Sequence, residues 1–97
     1  MIAEKKRIIP DRMQQLLTAM GVNQSDGSLI CCCSQTTMSH LCRGDDVKSL
    51  SILGVYNLSR IADNVIPFLV GDAVSINVNR RVVRQLLNSF RKMELRK

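Results

Sequence analysis

Apolar residues recur at helical spacing along much of this chain. Met13, Leu16, Leu17 and Met20 follow an i, i+3, i+4, i+7 pattern after Pro10, and Gly21 stands where a helix ends in a left-handed residue. Asn23 to Ser28 reads as a loop, because Asn, Ser, Asp and Gly bond their own backbone or tolerate left-handed angles. From Leu29 to Arg43 the pattern allows a buried strand or a helix. Helix is the preferred reading, with Thr36 or Thr37 capping a segment that carries Met38, Leu41 and Cys42. Gly44 breaks that element. Asp45 or Asp46 can cap a short helix through Val47, Leu50 and Leu53, ended by Gly54, and Asn57 or Ser59 starts a further turn with Leu58, Ile61 and Ala62.

Pro67 blocks continuation of that turn. Phe68 to Val70, the Gly71-Asp72 pair and Val74, Ile76 and Val78 alternating with Ser75 and Asn77 predict strand, turn, strand, with a single strand after Pro67 as the alternative. Asn79 then caps a last helix from Arg80 to about Met93. Val82, Val83, Leu86, Leu87, Phe90 and Met93 fall within roughly 140° of its circumference. Arg80, Arg81, Arg84, Asn88, Arg91 and Lys92 fall within an opposite arc of roughly 120°. The expected fold is therefore mainly α. A single small helical assembly domain over residues 1–97 is expected, with a short strand or β-hairpin before a C-terminal amphipathic helix, and the expected state is dimeric.

Charge sharpens this picture. The chain carries a formal +6, yet residues 1–79 hold seven basic and seven acidic side chains. The whole excess lies in 80–97, where Glu94 alone opposes seven cations, and such asymmetry points to a polyanion or an acidic partner surface. Guanidinium forks bind phosphate oxygens bidentately, and Asn88 among them can reach a base edge or a phosphate. The expected double-stranded DNA contacts are Arg80, Arg81, Arg84, Asn88, Arg91 and Lys92. The expected oligomer interface is Val82, Val83, Leu86, Leu87 and Phe90, since the apolar face must be buried against this domain or a second chain. With no Trp and only Tyr56, Phe68 and Phe90 as aromatics, recognition by stacking on bases is disfavoured.

Cys31, Cys32, Cys33, His40 and Cys42 invite a zinc reading that their spacing opposes. Adjacent cysteines project in different directions, and His-x-Cys is not a ligand pair of the usual kind. Small buried hydrophobes are the expected role, with a disulfide between subunits as a lesser alternative. A cysteine nucleophile would need His40 as base together with an orienting group and an oxyanion site, and there is no Gly-rich phosphate loop. No catalytic residue, metal or cofactor is expected. Met1 to Pro10 lacks an apolar signal core and no apolar run has membrane-spanning length, so the expected setting is cytoplasmic, away from membranes and with free thiols.

Segment 50–90 runs Leu50-Ser-Ile-Leu-Gly-Val-Tyr-Asn-Leu-Ser-Arg-Ile-Ala-Asp-Asn, then Phe68-Leu69-Val70, Val74-Ser-Ile-Asn-Val-Asn and a helix beginning Arg80-Arg81-Val82-Val83. It resembles the second half of the FlhD subunit of flagellar and conjugative-element master activators, most closely at Leu58-Ser59-Arg60-Ile61-Ala62-Asp63-Asn64. The resemblance implies a mostly helical subunit that dimerises, joins an FlhC-like partner holding any structural zinc, and activates transcription at promoter DNA. Cys31–Cys33 have no counterpart in it. The leading expectation is thus a DNA-binding transcriptional activator subunit in a homo- or hetero-oligomer. Two others stand beside it: an adaptor or chaperone-like protein for an acidic partner, and a ribbon-helix-helix repressor, for which too few residues follow Met93 to form a second helix.

Overall fold

The computed structural model describes residues 7–95. They form α1 (Arg12–Met20), α2 (Gln24–Ile30), α3 (Gln35–Arg43), a 3-10 turn (Val47–Ser49), α4 (Ile52–Ile61), α5 (Val65–Val70) and α6 (Arg80–Leu95). The expectation of a mainly helical chain holds. The expected strand pair does not: no strand occurs among the described residues, and Phe68–Val70 is the end of α5. Pro67 sits in the first turn of α5, where a helix has no partner for a backbone N–H, so a missing donor costs nothing there. Residues 71–79 are irregular, with one isolated bridge from Val78 to Ala62 and a bond from the Asn79 amide to the Ile61 carbonyl at 2.8 Å.

Three further boundaries depart from the expectation. Asn23 opens a helix instead of a loop: its side chain accepts from the Asp26 amide at 2.8 Å, and Ser25, Asp26 and Gly27 are helical. Gly54 does not end a helix but lies inside α4, whose cap is Ser51, accepting from the Gly54 amide at 2.9 Å. Asp46 caps only the preceding 3-10 turn. In α3 the cap is Ser34 instead of the expected Thr36 or Thr37, its Oγ accepting from the Thr37 amide at 3.0 Å. The Asn79 cap is as expected, its side-chain Oδ1 accepting from the amides of Arg81 at 3.1 Å and Val82 at 3.4 Å.

The core is one cluster. Met13, Leu16, Leu17 and Met20 of α1 meet Ile30, Met38 and Leu41 from α2 and α3, Leu58 and Ile61 from α4, and Phe68 and Leu69 from α5. Val83, Leu86 and Leu87 close it from α6. The apolar face of α6 is therefore spent within the chain. Of the expected oligomer interface, Val83, Leu86 and Leu87 are buried here and Val82 and Phe90 are half-buried beside them. Met93, Glu94, Arg96 and Lys97 lie outside the described side chains. Arg12 fastens α1 to α5, its guanidinium 4.7 Å over the Phe68 ring and donating to the Ala73 carbonyl at 3.0 Å.

Candidate nucleic-acid interface

α2 and α3 pack on each other and are joined by only four residues, Cys31–Ser34. The joint is closely determined. The Cys31 amide donates to Gly27 O at 2.9 Å, Cys32 to Leu29 O at 3.2 Å and Cys33 to Ser28 O at 3.0 Å, which winds the end of α2 down. Cys32 then takes a left-handed φ of 54°, reversing the chain into the Ser34 cap. The C-terminal carbonyls of α2 are bonded from α4: Asn57 Nδ2 donates to Ile30 O at 2.9 Å and Ser51 Oγ to Cys31 O at 3.1 Å. Two short helices joined by a four-residue turn and braced from behind make one compact helix–turn–helix-like unit, α2–turn–α3.

The outer face of α3 suits such a unit. Met38, Leu41 and Cys42 are buried, while Gln35, Thr36, His40 and Arg43 are exposed and Ser39 is half-exposed. At about 100° per residue those five polar side chains occupy one arc of roughly 140°. They include no carboxylate. Amide, hydroxyl, imidazole and guanidinium groups are the donors and acceptors that read base edges in a major groove. Arg43 Nη2 donates to Ser39 Oγ at 3.1 Å, and Gln35 Nε2 reaches across to Ser25 Oγ of α2 at 3.4 Å. Of these α3 residues only His40 stands out in the sequence, as a zinc ligand or base, and none as a nucleic-acid contact, because the spacing around Leu29–Arg43 leaves helix and strand both open.

The expected cationic contacts fall into two groups. Arg80 is engaged in docking: its Nε donates to the Ala19 carbonyl at 3.0 Å, satisfying a terminal acceptor of α1 where a cation is favourable. Arg91 approaches Asp26, with Nη2 3.4 Å from Oδ2, in the first turn of α2. Arg81, Arg84, Asn88 and Lys92 are exposed. The Arg91 contact is informative about position, since Asp26 adjoins Ser25 and Ser25 meets Gln35. The C-terminal end of α6 thus reaches the edge of the α2–α3 unit where α3 begins.

The cysteines line the turn from inside and outside. Cys31 and Cys42 are buried, Cys33 is half-buried and Cys32 is exposed, all as free thiols. Burial pushes the Cys31 thiol up to about 12, and burial also raises Cys33 and Cys42. The Cys32 sulfur accepts from Asn57 Nδ2 at 3.5 Å. Buried thiols held neutral pack as small hydrophobes, which fits the expectation for Cys31 and Cys42 but not for Cys32. No group of three or more His, Cys, Asp or Glu able to hold a metal occurs among the described residues. An apolar cleft of about 300 Å³ lies between α4 and α5, bordered by Val55, Leu58, Ala62, Asp63 and Ile66. No described helix is long and apolar enough to cross a membrane. No family model, curated protein or solved structure matches the chain.

Proposed function

We propose that this chain is a non-enzymatic, cytoplasmic, DNA-binding transcriptional regulator acting in a homo- or hetero-oligomer, with α3 as its recognition helix. The observation that carries the reading is the braced α2–turn–α3 unit with a carboxylate-free polar row on α3. In a helix-turn-helix the second helix enters the major groove while the first crosses the phosphate backbone. Gln35, Thr36, Ser39, His40 and Arg43 then supply base contacts. The exposed cations Arg81, Arg84 and Lys92 of α6 hold phosphates flanking the N-terminal end of α3, a position supported by the Arg91–Asp26–Ser25–Gln35 proximity, in which Arg91 itself is paired with Asp26. Phosphate contacts position the protein and base contacts specify the site. The likeness of Leu58–Asn64 to FlhD supports activation alongside an FlhC-like partner as the regulatory mode.

Selection of bound sequences from a random duplex pool, followed by affinity measurement across a salt series, tests the reading. The expected result is an enriched motif, and affinity that falls linearly with the logarithm of salt concentration. Absence of enrichment together with absence of binding at low salt overturns it and leaves the acidic-partner adaptor.

A further inference from the structure

Two cavities meet at the C-terminal end of α4. The first is the apolar cleft of about 300 Å³ against α5, walled by Val55, Leu58, Ile66 and Pro67. The second, of about 370 Å³, lies between the end of α4 and the start of α6 and is bordered by Arg60, Asn77 and Asn79. Ser59, Ala62 and Asp63 line both, so the two join as an apolar arm and a polar arm of one cleft. Spaces of this size suit a small metabolite.

The polar arm carries charge of both signs. Arg60 and Asp63 are exposed, and neither side chain has a hydrogen-bond or ion-pair partner among the described residues. Either one alone is ordinary at a helix end; here both border the same cavity. The backbone repeats the pattern. α4 ends at the cleft, where its last carbonyls favour a cation, and α6 begins there, where its first amides favour an anion. The two ends are tied together by the Asn79 amide, which donates to Ile61 O at 2.8 Å. Asn79 Oδ1 is taken by the amides of Arg81 and Val82, which leaves its Nδ2 to donate to a ligand.

We propose that this cleft binds a free α-amino acid with an apolar side chain. The carboxylate of the ligand enters the polar arm, against the Arg60 guanidinium and Asn79 Nδ2. Its ammonium sits at the junction, against Asp63, and its side chain fills the apolar arm between Leu58 and Ile66. Charge complementarity selects this class. A fatty acid or a peptide C-terminus leaves Asp63 unmatched, an amine leaves Arg60 unmatched, and a polar amino acid leaves the apolar arm unfilled. A guanidinium fork takes a carboxylate through two hydrogen bonds. The charges are solvent-exposed and contribute modestly, so burial of the apolar side chain supplies much of the affinity. The assignment does not depend on DNA binding.

Titration of the full chain, without DNA, with L-leucine or L-phenylalanine up to about 10 mM, followed by amide chemical shifts, tests the proposal. The expected result is a saturable shift centred on residues 55–66 and 77–80. Leucine amide lacks the carboxylate, 4-methylpentanoate lacks the ammonium and L-serine lacks the apolar side chain; each should bind about tenfold more weakly or worse. Arg60→Gln should abolish the preference for leucine over its amide, and Asp63→Asn the preference for leucine over 4-methylpentanoate. Both variants should melt like the parent without ligand, since the two positions are exposed. No saturable shift with either amino acid, equal binding of 4-methylpentanoate by the parent chain, or leucine binding indifferent to both substitutions overturns the proposal.

Discussion

The carbonyl oxygen of Cys31 occupies the space that a side-chain carbon at position 54 would need, and Gly54 leaves that space open. This contact lets α4 lie directly on the α2–α3 turn, close enough for Ser51 Oγ to reach the same carbonyl at 3.1 Å. Gly54→Ala must therefore push α4 away from the turn, because the obstructing atom is backbone. The favourable helix propensity of Ala recovers about 1 kcal/mol at most. The expected net loss is about 2–4 kcal/mol, at the high end for a single substitution, read as a lower urea midpoint with little change in slope.

Asn57 adds a second brace to the same joint. Its side chain is buried and donates to Ile30 O at 2.9 Å. Asn57→Ala leaves that terminal carbonyl of α2 without a donor and costs about 1–3 kcal/mol. Amide hydrogen exchange should speed up first in α2 and α3. Equal acceleration in α1 and α5 would place the brace elsewhere.

Cys32 is held at a φ of 54°, where a side chain is disfavoured. Cys32→Gly relieves that strain but gives the unfolded chain more freedom, so the two effects offset to within about 1 kcal/mol. Cys32→Val, β-branched and intolerant of positive φ, should cost about 1–2 kcal/mol. Thermal melts of the two variants should separate clearly in that order.

The cysteines should differ sharply toward a thiol reagent at pH 8. Cys32 is exposed and reacts in the native protein, whereas Cys31 is buried, raised to about 12, and reacts only on unfolding. The same shift predicts a pH dependence. The folded pKa of Cys31 lies above the unfolded thiol value of about 8.5, so its contribution is complete below that value and is lost as pH rises toward 12. Stability should fall between about pH 9 and 12, and Cys31→Val should flatten the part due to this thiol. An identical decline in the variant would remove Cys31 as its source.

Asp26 and Arg91 offer a test of the proposed interface in which a substitution improves binding. Their ion pair is largely exposed and worth little to folding, about 0–1 kcal/mol. Asp26→Asn removes a negative charge from the first turn of α2 and releases Arg91. DNA affinity should rise several-fold with a steeper salt slope, while Arg84→Ala combined with Lys92→Ala lowers affinity and flattens it. His40→Ala and Arg43→Ala should instead relax sequence preference, each costing about 1–3 kcal/mol on the selected site and little on random duplex.

α1 and α6 were readable because their apolar residues repeat over several turns between good end signals, Gly21 in one case and Asn79 in the other. The balance of charge along the chain was equally plain. α2 was missed because Asn23, Ser25, Asp26 and Gly27 favour turns when isolated; here the Asn23 cap and the close seating of Gly27 on Leu17 hold them helical. Phe68–Val70 passes for a strand by composition and is helical because Phe68 and Leu69 must both reach the core while Pro67 occupies the first turn.

Periodicity and composition were thus enough for a small helical chain with a basic C-terminal helix, since helical burial repeats every 3.6 residues and charge can be counted. They could not reveal that α6 spends its apolar face on its own core, that the exposed polar row lies on α3, or that α4 turns Ile52, Leu53 and Tyr56 outward. Those outcomes depend on contacts between residues far apart in the chain, such as Gly54 on Cys31 and Asn57 on Ile30, and a local pattern holds no record of which distant backbone it will meet.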